Sequence, residues 1–257
     1  MEAASYTLHH HRYSICSIMV RYCIAIRGEP KSGMSEATFF EKEIDIFANE
    51  QLSEDFLCHV NPKGQVPAIT TSSLDQPLYD SVTITHYLAS LYPSLMPPSH
   101  RQLISSLIDL LHSINFFSLS FAGSKNGDPA GHIKQEIQRR LRKDVSPRYR
   151  EALEYKLAVH EAEKVYGLGS DFVTKMISRT ESLLFICQQN LPEGARWMLG
   201  LPQPSALDAH LVTFIARLED AGRTNLVPPR LSTYCADARE TEEWRRIMQG
   251  RKTAPGR

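Results

Sequence analysis

The chain has no excess of charge of either sign: Lys+Arg and Asp+Glu each total 29 among 257 residues, for a formal net charge of zero. That balance gives no global electrostatic attraction to nucleic acid or to an anionic membrane. No apolar run approaches the roughly 18 residues that a spanning helix needs. The first eleven residues are polar and end in three histidines, unlike the basic-then-apolar plan of a secretory signal. Cysteine is scarce and unpaired, with single residues at 16, 23, 58, 187 and 235 and no CxxC spacing. This excludes a disulfide scaffold or a zinc ribbon and fits the reduced thiols of a cytoplasmic protein. What is present is an ordinary globular balance, 42% hydrophobic and 23% charged, in a length that suits two modest domains.

The first ninety residues mix strand and helix signals. A short strand at Tyr6 to Arg12 precedes a helix at Ser14 to Arg27, whose Ile15, Ile18, Met19, Tyr22, Cys23 and Ile26 recur at helical spacing. Gly28 and Pro30 stop it. Thr38 to Phe47 reads as a strand, Asn49 to His59 as a helix, and Val66 to Thr70 with Leu74 to Tyr79 as two short strands. A helix from Asp80 to Leu91 completes a β-α-β-α-β-β-α unit, which places helices on a small sheet. Pro93, Pro97 and Pro98 then form a stiff connector. Beyond it only helical patterns remain, over 101–122, 133–166, 170–190, 205–221 and 236–249, with breaks at Gly123 to Pro129, Gly167 to Gly169, Leu191 to Gly194 and Pro228-Pro229. The reading is an α/β unit at 1–91, a linker at 92–100 and an all-helical unit at 101–257. The tail from Gly250 is expected to fray.

Two stretches carry chemistry. In Asn61-Pro62-Lys63-Gly64-Gln65-Val66-Pro67 the final proline cannot donate a ladder hydrogen bond, so Pro67 belongs at a strand start, an edge or a turn. In Leu78-Tyr79-Asp80-Ser81, the last two residues open a helix and suit it as caps. The free N–H groups there also suit a carboxylate, and the acid side chain suits an amine. One α-amino acid end satisfies both.

In this order, with Asp80 thirteen residues after Pro67 and followed by Ile84, Tyr87 and Leu88, the two stretches resemble the glutathione transferase superfamily and its N-P-x-G-x-V-P and E/D-S-x-x-I-x-x-Y-L motifs. The general look is that of fungal members, some of which tailor secondary metabolites. The resemblance implies a thioredoxin-like domain followed by a helical one, assembled as a homodimer. It implies that Val66 pairs through its backbone with the cysteinyl part of glutathione and that Pro67 is a cis-proline. Gln65 would approach the glycyl carboxylate, Asp80 and Ser81 would hold the γ-glutamyl end, and Lys63 is a further contact. Ser205-Ala206-Leu207-Asp208 is similar to the family's S/T-x-x-D motif, and is also a capping box.

Such an enzyme must make a thiolate, and a hydroxyl at a helix N-terminus does this by hydrogen bonding and by the helix dipole. Ser14-Ile15-Cys16-Ser17-Ile18-Met19-Val20-Arg21 is similar to the S-S-C-S-W-R-V-R of the zeta class, which contains maleylacetoacetate isomerase. The activating position then falls on Ser14, with Ser17 and Tyr13 as rivals. Cys16 stands two residues after the place of the cysteine in redox-active relatives, and a small buried hydrophobe is the plainer reading of it. Family members build their electrophile pocket from the first helix of the second domain. That assigns Ser113, Asn115 and Phe116 to a small electrophilic organic substrate. His9, His10 and His11 cannot converge on one metal ion, because adjacent strand residues point to opposite faces. Seven basic residues between Lys134 and Arg150 read as a solvated helix face.

The resemblance implies thiolate addition to an electrophilic conjugated substrate, with two rivals. One is cis-trans isomerisation by reversible thiol addition. The other is a non-catalytic scaffold or regulator built on the same fold.

Overall fold

The computed structural model describes residues 4–122 and 129–255. Strand β1 (Ser5–His10), helix α1 (Ile15–Ala25), strand β2 (Thr38–Glu43), helix α2 (Glu54–His59), strands β3 (Ala68–Thr70) and β4 (Leu78–Tyr79) and helix α3 (Ser81–Leu91) follow in the expected order. The sheet runs β2-β1-β3-β4, with β2 parallel to β1 and β3 and β4 each antiparallel to the strand before it in the sheet. This is a thioredoxin-like unit. β2 ends at Glu43, four residues short of the expected Phe47, because Asp45 turns the chain by accepting the N–H groups of Phe47 and Ala48.

The second half is all helical: α4 (Arg101–His112), α5 (Phe116–Phe121), α6 (Pro129–Leu141), α7 (Pro147–His160), α8 (Ser170–Gln189), α9 (Ala206–Asp220), α10 (Pro229–Arg239) and α11 (Glu242–Met248). Three expected helices are each two. The segment 101–122 breaks because the Asn115 side chain accepts Ser118 N–H and starts α5 afresh. The segment 133–166 breaks at Ser146, which caps Tyr149 N–H, with Pro147 at the first helical position. Pro229 begins α10 rather than interrupting the chain, and Thr241 caps a separate α11. Of the expected break at Gly123 to Pro129, all but Pro129 lies outside the described residues.

The two halves share one core. From α1, Ile18, Met19, Tyr22 and Cys23 are fully buried beside Ile84 and Leu88 of α3 and beside α9, which is buried from Ala206 to Leu218. Each such aliphatic side chain contributes roughly 1.5–3 kcal/mol on burial. Tyr92, Leu95 and Met96 of the proline-bearing connector join this core, so the linker is packed rather than free-standing. A smaller cluster sets Leu52 and Leu57, on the α2 side of the sheet unit, against Ile137, Tyr149 and Leu153 of α6 and α7.

The basic stretch is not a simple solvated face. Arg140 donates to the Leu52 and Asn49 carbonyls, and Arg148 to the Cys58 carbonyl, so these guanidiniums fasten α6 and α7 to the sheet half. Nor does the tail fray over its described part. Thr253 is buried, and its N–H and hydroxyl both donate to Asp220 at 2.7 and 2.8 Å.

Candidate functional site

Ser14 sits just before α1 in extended conformation, so its hydroxyl oxygen can turn back and accept the N–H of Ser17 at 3.3 Å. The same hydroxyl donates to the carbonyl of Val66 at 3.2 Å, fifty-two residues away. The Val66–Pro67 peptide bond is cis, as the resemblance implied. One oxygen therefore ties the positive end of α1 to the chain entering β3.

The approach to Val66 is built by Asn61. Its side chain accepts Lys63 N–H at 2.9 Å and donates to the Gln65 carbonyl at 2.8 Å, closing the turn on itself. Gly64 completes that turn at φ +54. A Cβ there would stand 3.0 Å from Leu57 Cδ2, 3.1 Å from the Gln51 carbonyl oxygen and 3.1 Å from Lys156 Cδ. The position needs glycine for its backbone and for the close approach of a lysine from α7. The Gln65 side chain donates to Glu163 Oε2 at 2.6 Å, reaching the π-helical turn Glu161–Val165 that follows α7.

Asp80 caps α3. One carboxylate oxygen takes the N–H groups of Val82 and Thr83, both at 3.0 Å, and the Thr83 hydroxyl at 3.3 Å. Its backbone has φ 82 and ψ 123, a region costly for a residue with a side chain, at about 1–3 kcal/mol. A cap alone does not require that strain. Ser81, next to it, is buried. Burial raises the Cys16 thiol above its ordinary value more than Ser81, Lys164 and Arg217 lower it, so it is a protonated thiol rather than a nucleophile.

The other sequence-predicted residues lie as follows. Ser17 is fully buried, and its hydroxyl accepts His11 N–H at 3.3 Å. Tyr13 lines a cleft of about 430 Å³ with His11, Arg12, Glu43, Asp45, Phe47 and Glu50. Its carbonyl is held at 2.7 Å by Arg217 of α9, a buried guanidinium whose pKa burial lowers to about 10. Lys63 is half-buried. Asn115 donates to the Glu163 carbonyl at 2.9 Å, Phe116 packs on His112 and Phe214, and Ser113 bonds back to the Leu110 carbonyl. The structure brings Ser14, Val66, Gln65 and Asp80 with Ser81 onto one side of the sheet half and connects Gln65 and Asn115 through Glu163. It leaves Ser17 in the core.

Arg217 and Glu163 escaped sequence reasoning. A lone arginine inside an apolar helix pattern, Leu211 to Leu218, was the available signal for the first. Nothing local marked the second. The two histidines of β1 diverge, His9 onto the Thr70 hydroxyl at 3.0 Å and His10 towards Glu41 at 3.5 Å, and His11 lies beyond the strand. Burial lowers the pKa of His9 and of His10 to about 4, and also lowers that of His11. No described helix is long and apolar enough to cross a membrane.

Among solved structures, the β-etherase LigF of Sphingobium superposes with TM-score 0.69 at 17% identity, covering 95% of this chain and 98% of its own. A glutathione transferase homologue from Sulfitobacter, solved with bound glutathione, gives TM-score 0.59 at 17% identity over 95% and 97% of the two chains. The fold is that of the glutathione transferases. Maleylacetoacetate isomerase from Anaeromyxobacter dehalogenans, with glutathione in its active site, shares the glutathione-transferase fold with this chain at TM-score 0.59, 17% identity and 96% coverage of both chains. No family model and no curated protein matches the chain by sequence.

Proposed function

We propose that the chain is a glutathione-dependent enzyme whose bound thiolate adds to an electron-poor, conjugated carbon of a small organic substrate. The observation that carries this reading is the Ser14 hydroxyl, which caps α1 while donating to the Val66 carbonyl beside cis Pro67. An extended thiol peptide lying along this edge offers its cysteinyl N–H to that same carbonyl. The exchange frees the Ser14 hydroxyl to donate to the sulfur, with no carbonyl left unpaired.

A hydrogen bond to a charged acceptor is worth about 1.5–3 kcal/mol. At 1.36 kcal/mol per pKa unit, the thiol falls by roughly one to two units. The α1 N-terminus adds about 0.3–1 kcal/mol in the same direction. The released proton goes to solvent. Asp80 binds the ammonium of the γ-glutamyl end through its second carboxylate oxygen, and the N–H of Ser81, the one first-turn N–H of α3 not already taken by Asp80, binds its carboxylate. Ser17 braces the His11 main chain, and Tyr13 and Lys63 flank the bound peptide.

In this reading residues 1–91 bind glutathione, 92–100 join the halves and 101–257 shape the second pocket around Ser113, Asn115 and Phe116. Two such chains form a homodimer in the cytoplasm, where the five free cysteines stay reduced.

Conjugation and isomerisation share the first step, formation of a carbon–sulfur bond. In conjugation the adduct leaves. In isomerisation the adduct rotates about the former double bond, then expels the thiolate. The zeta-like string from Ser14 to Arg21 favours keeping isomerisation as the second reading. Incubation with glutathione and a panel of conjugated electrophiles, read by product mass, separates them. A conjugate gains the mass of glutathione, an isomer keeps the mass of its substrate, and no product from any electrophile would count against both.

A further inference from the structure

Arg217 lies in the buried run of α9 and is itself 4% exposed. Its guanidinium donates to four oxygens on three other segments. They are the Tyr13 carbonyl at 2.7 Å, the Ser120 hydroxyl of α5 at 3.4 Å, and the hydroxyl (3.2 Å) and carbonyl of Thr253. None of these oxygens carries a charge. The acid that offsets the guanidinium is Asp220, and it reaches Arg217 through Thr253, whose N–H and hydroxyl both donate to Asp220 Oδ2. Burial lowers the guanidinium to about 10, with Asp220 and Cys16 opposing, so it keeps its charge at neutral pH.

Such a cation is well hydrogen-bonded, and water screens it little, so its field extends beyond its own contacts. Two observations say where it acts. Tyr13 immediately precedes Ser14, so the guanidinium fixes the turn from which the Ser14 hydroxyl is presented. Cys16, in the first turn of α1, has its thiol pulled down by Arg217 against the larger effect of burial. The positive charge is thus felt on both sides of Ser14. The other charges facing Cys16 are Lys164 and Asp80, and Asp80 meets the ligand's ammonium in the glutathione reading. Around the cleft beside Tyr13 stand Arg12, paired with Glu43, and the acids Asp45 and Glu50.

We infer that Arg217 is a positioning residue for the bound thiolate. It holds the Ser14 turn through the Tyr13 carbonyl and adds a buried positive charge to that of the α1 N-terminus, while Asp220, kept one residue away by Thr253, tunes that charge. This deepens the glutathione reading and rests on it. The helical half then sets the thiol's acidity as well as walling the second pocket.

The test is the ultraviolet difference absorbance of the bound thiolate, followed against pH in wild type, Arg217→Gln, Arg217→Lys and Asp220→Asn, each saturated with reduced glutathione. Arg217→Gln is expected to raise the thiol pKa by about one unit, and Arg217→Lys, which keeps the charge, to recover most of that shift. Asp220→Asn keeps an oxygen for Thr253 but loses the offsetting charge, so it is expected to move the thiol pKa down. The kcat/KM profiles should move with these values. S-methylglutathione, whose sulfur has no proton to lose, should bind all four proteins equally. A purely structural arginine would instead weaken both ligands together, with shifts of one sign or none in Arg217→Gln and Asp220→Asn. That outcome, or an Arg217→Lys protein shifted as far as Arg217→Gln, overturns the assignment while leaving the glutathione reading standing. Binding of neither ligand by wild type overturns both. Should Arg217→Gln not fold, Asp220→Asn decides alone: a lowered thiol pKa supports the assignment, and an unchanged or raised one overturns it.

Discussion

Replacing Ser14 with alanine is expected to raise the pKa of the bound thiol by about one to two units and to lower kcat/KM at neutral pH about 10- to 100-fold. The hydroxyl has two jobs, and they separate experimentally. As the cap of α1 it accepts the Ser17 N–H, and its loss costs about 1 kcal/mol of stability. As the donor now directed at Val66, it is the group free to turn to a sulfur. The sign of the pH effect follows from the thiolate being the nucleophile. Without Ser14 the thiol stays protonated at neutral pH, and activity returns as pH rises past the higher thiol pKa. The kcat/KM profile should therefore keep its plateau and shift to higher pH. Ser14→Thr, which keeps a hydroxyl, should shift less. An unshifted profile in Ser14→Ala would transfer the role to Tyr13, since Ser17 is sealed in the core with its hydroxyl on the His11 N–H.

Asp208→Ala is expected to destabilise the fold by about 3–5 kcal/mol and to lower the melting temperature by about 10 °C. The carboxylate is fully buried at the start of α9. Oδ1 accepts Met198 N–H at 2.8 Å and the Tyr234 hydroxyl at 2.7 Å, while Oδ2 accepts the N–H and hydroxyl of Ser205, both at 2.7 Å. Burial raises its pKa against the pull of these four donors. Alanine removes the acceptor of two backbone N–H groups and of the Ser205 and Tyr234 hydroxyls in the helical half. Asp208→Asn should fall between, since its amide oxygen can still serve one pair of donors while its NH2 group opposes the other. Urea unfolding of the three proteins measures this directly, and a loss below about 1 kcal/mol in Asp208→Ala would show that the network contributes little.

The same residues show what can be read from a chain and what cannot. The capping box at Ser205 to Asp208, the turn from Asn61 to Pro67 and the cap at Asp80 are local, each within seven residues, so their chemistry is visible in the order of side chains. Two further caps were equally local. Ser146-Pro147 and Asn115 carry standard start signals, and the apolar pattern running through them concealed two helix boundaries. What was not legible is tertiary. Tyr234 completes the Asp208 network from another helix, Arg217 holds the Tyr13 carbonyl from 204 residues away, and Glu163 meets Gln65 across 98. Arg140 and Arg148 look like part of a solvated stripe, because the carbonyls they bond belong to Leu52, Asn49 and Cys58. Lys156 likewise has no local signature, since its burial follows from the docking of α7 over α2. Thr253, in a tail of proline and glycine, is anchored only because Asp220 and Arg217 meet it.

The central claim is that the edge from Ser14 to Asp80 binds glutathione, and titration calorimetry of wild type and Asp80→Asn with reduced glutathione tests it most directly. Asparagine keeps an oxygen to cap α3 and tolerates the positive φ at this position, so the fold is preserved while the charge that meets the ligand's ammonium is lost. Saturable binding by wild type, weakened about tenfold or more in Asp80→Asn with an unchanged melting temperature, is the result this account predicts. No heat of binding at millimolar glutathione, or equal affinity in the two proteins, would contradict it and return the chain to the scaffold reading.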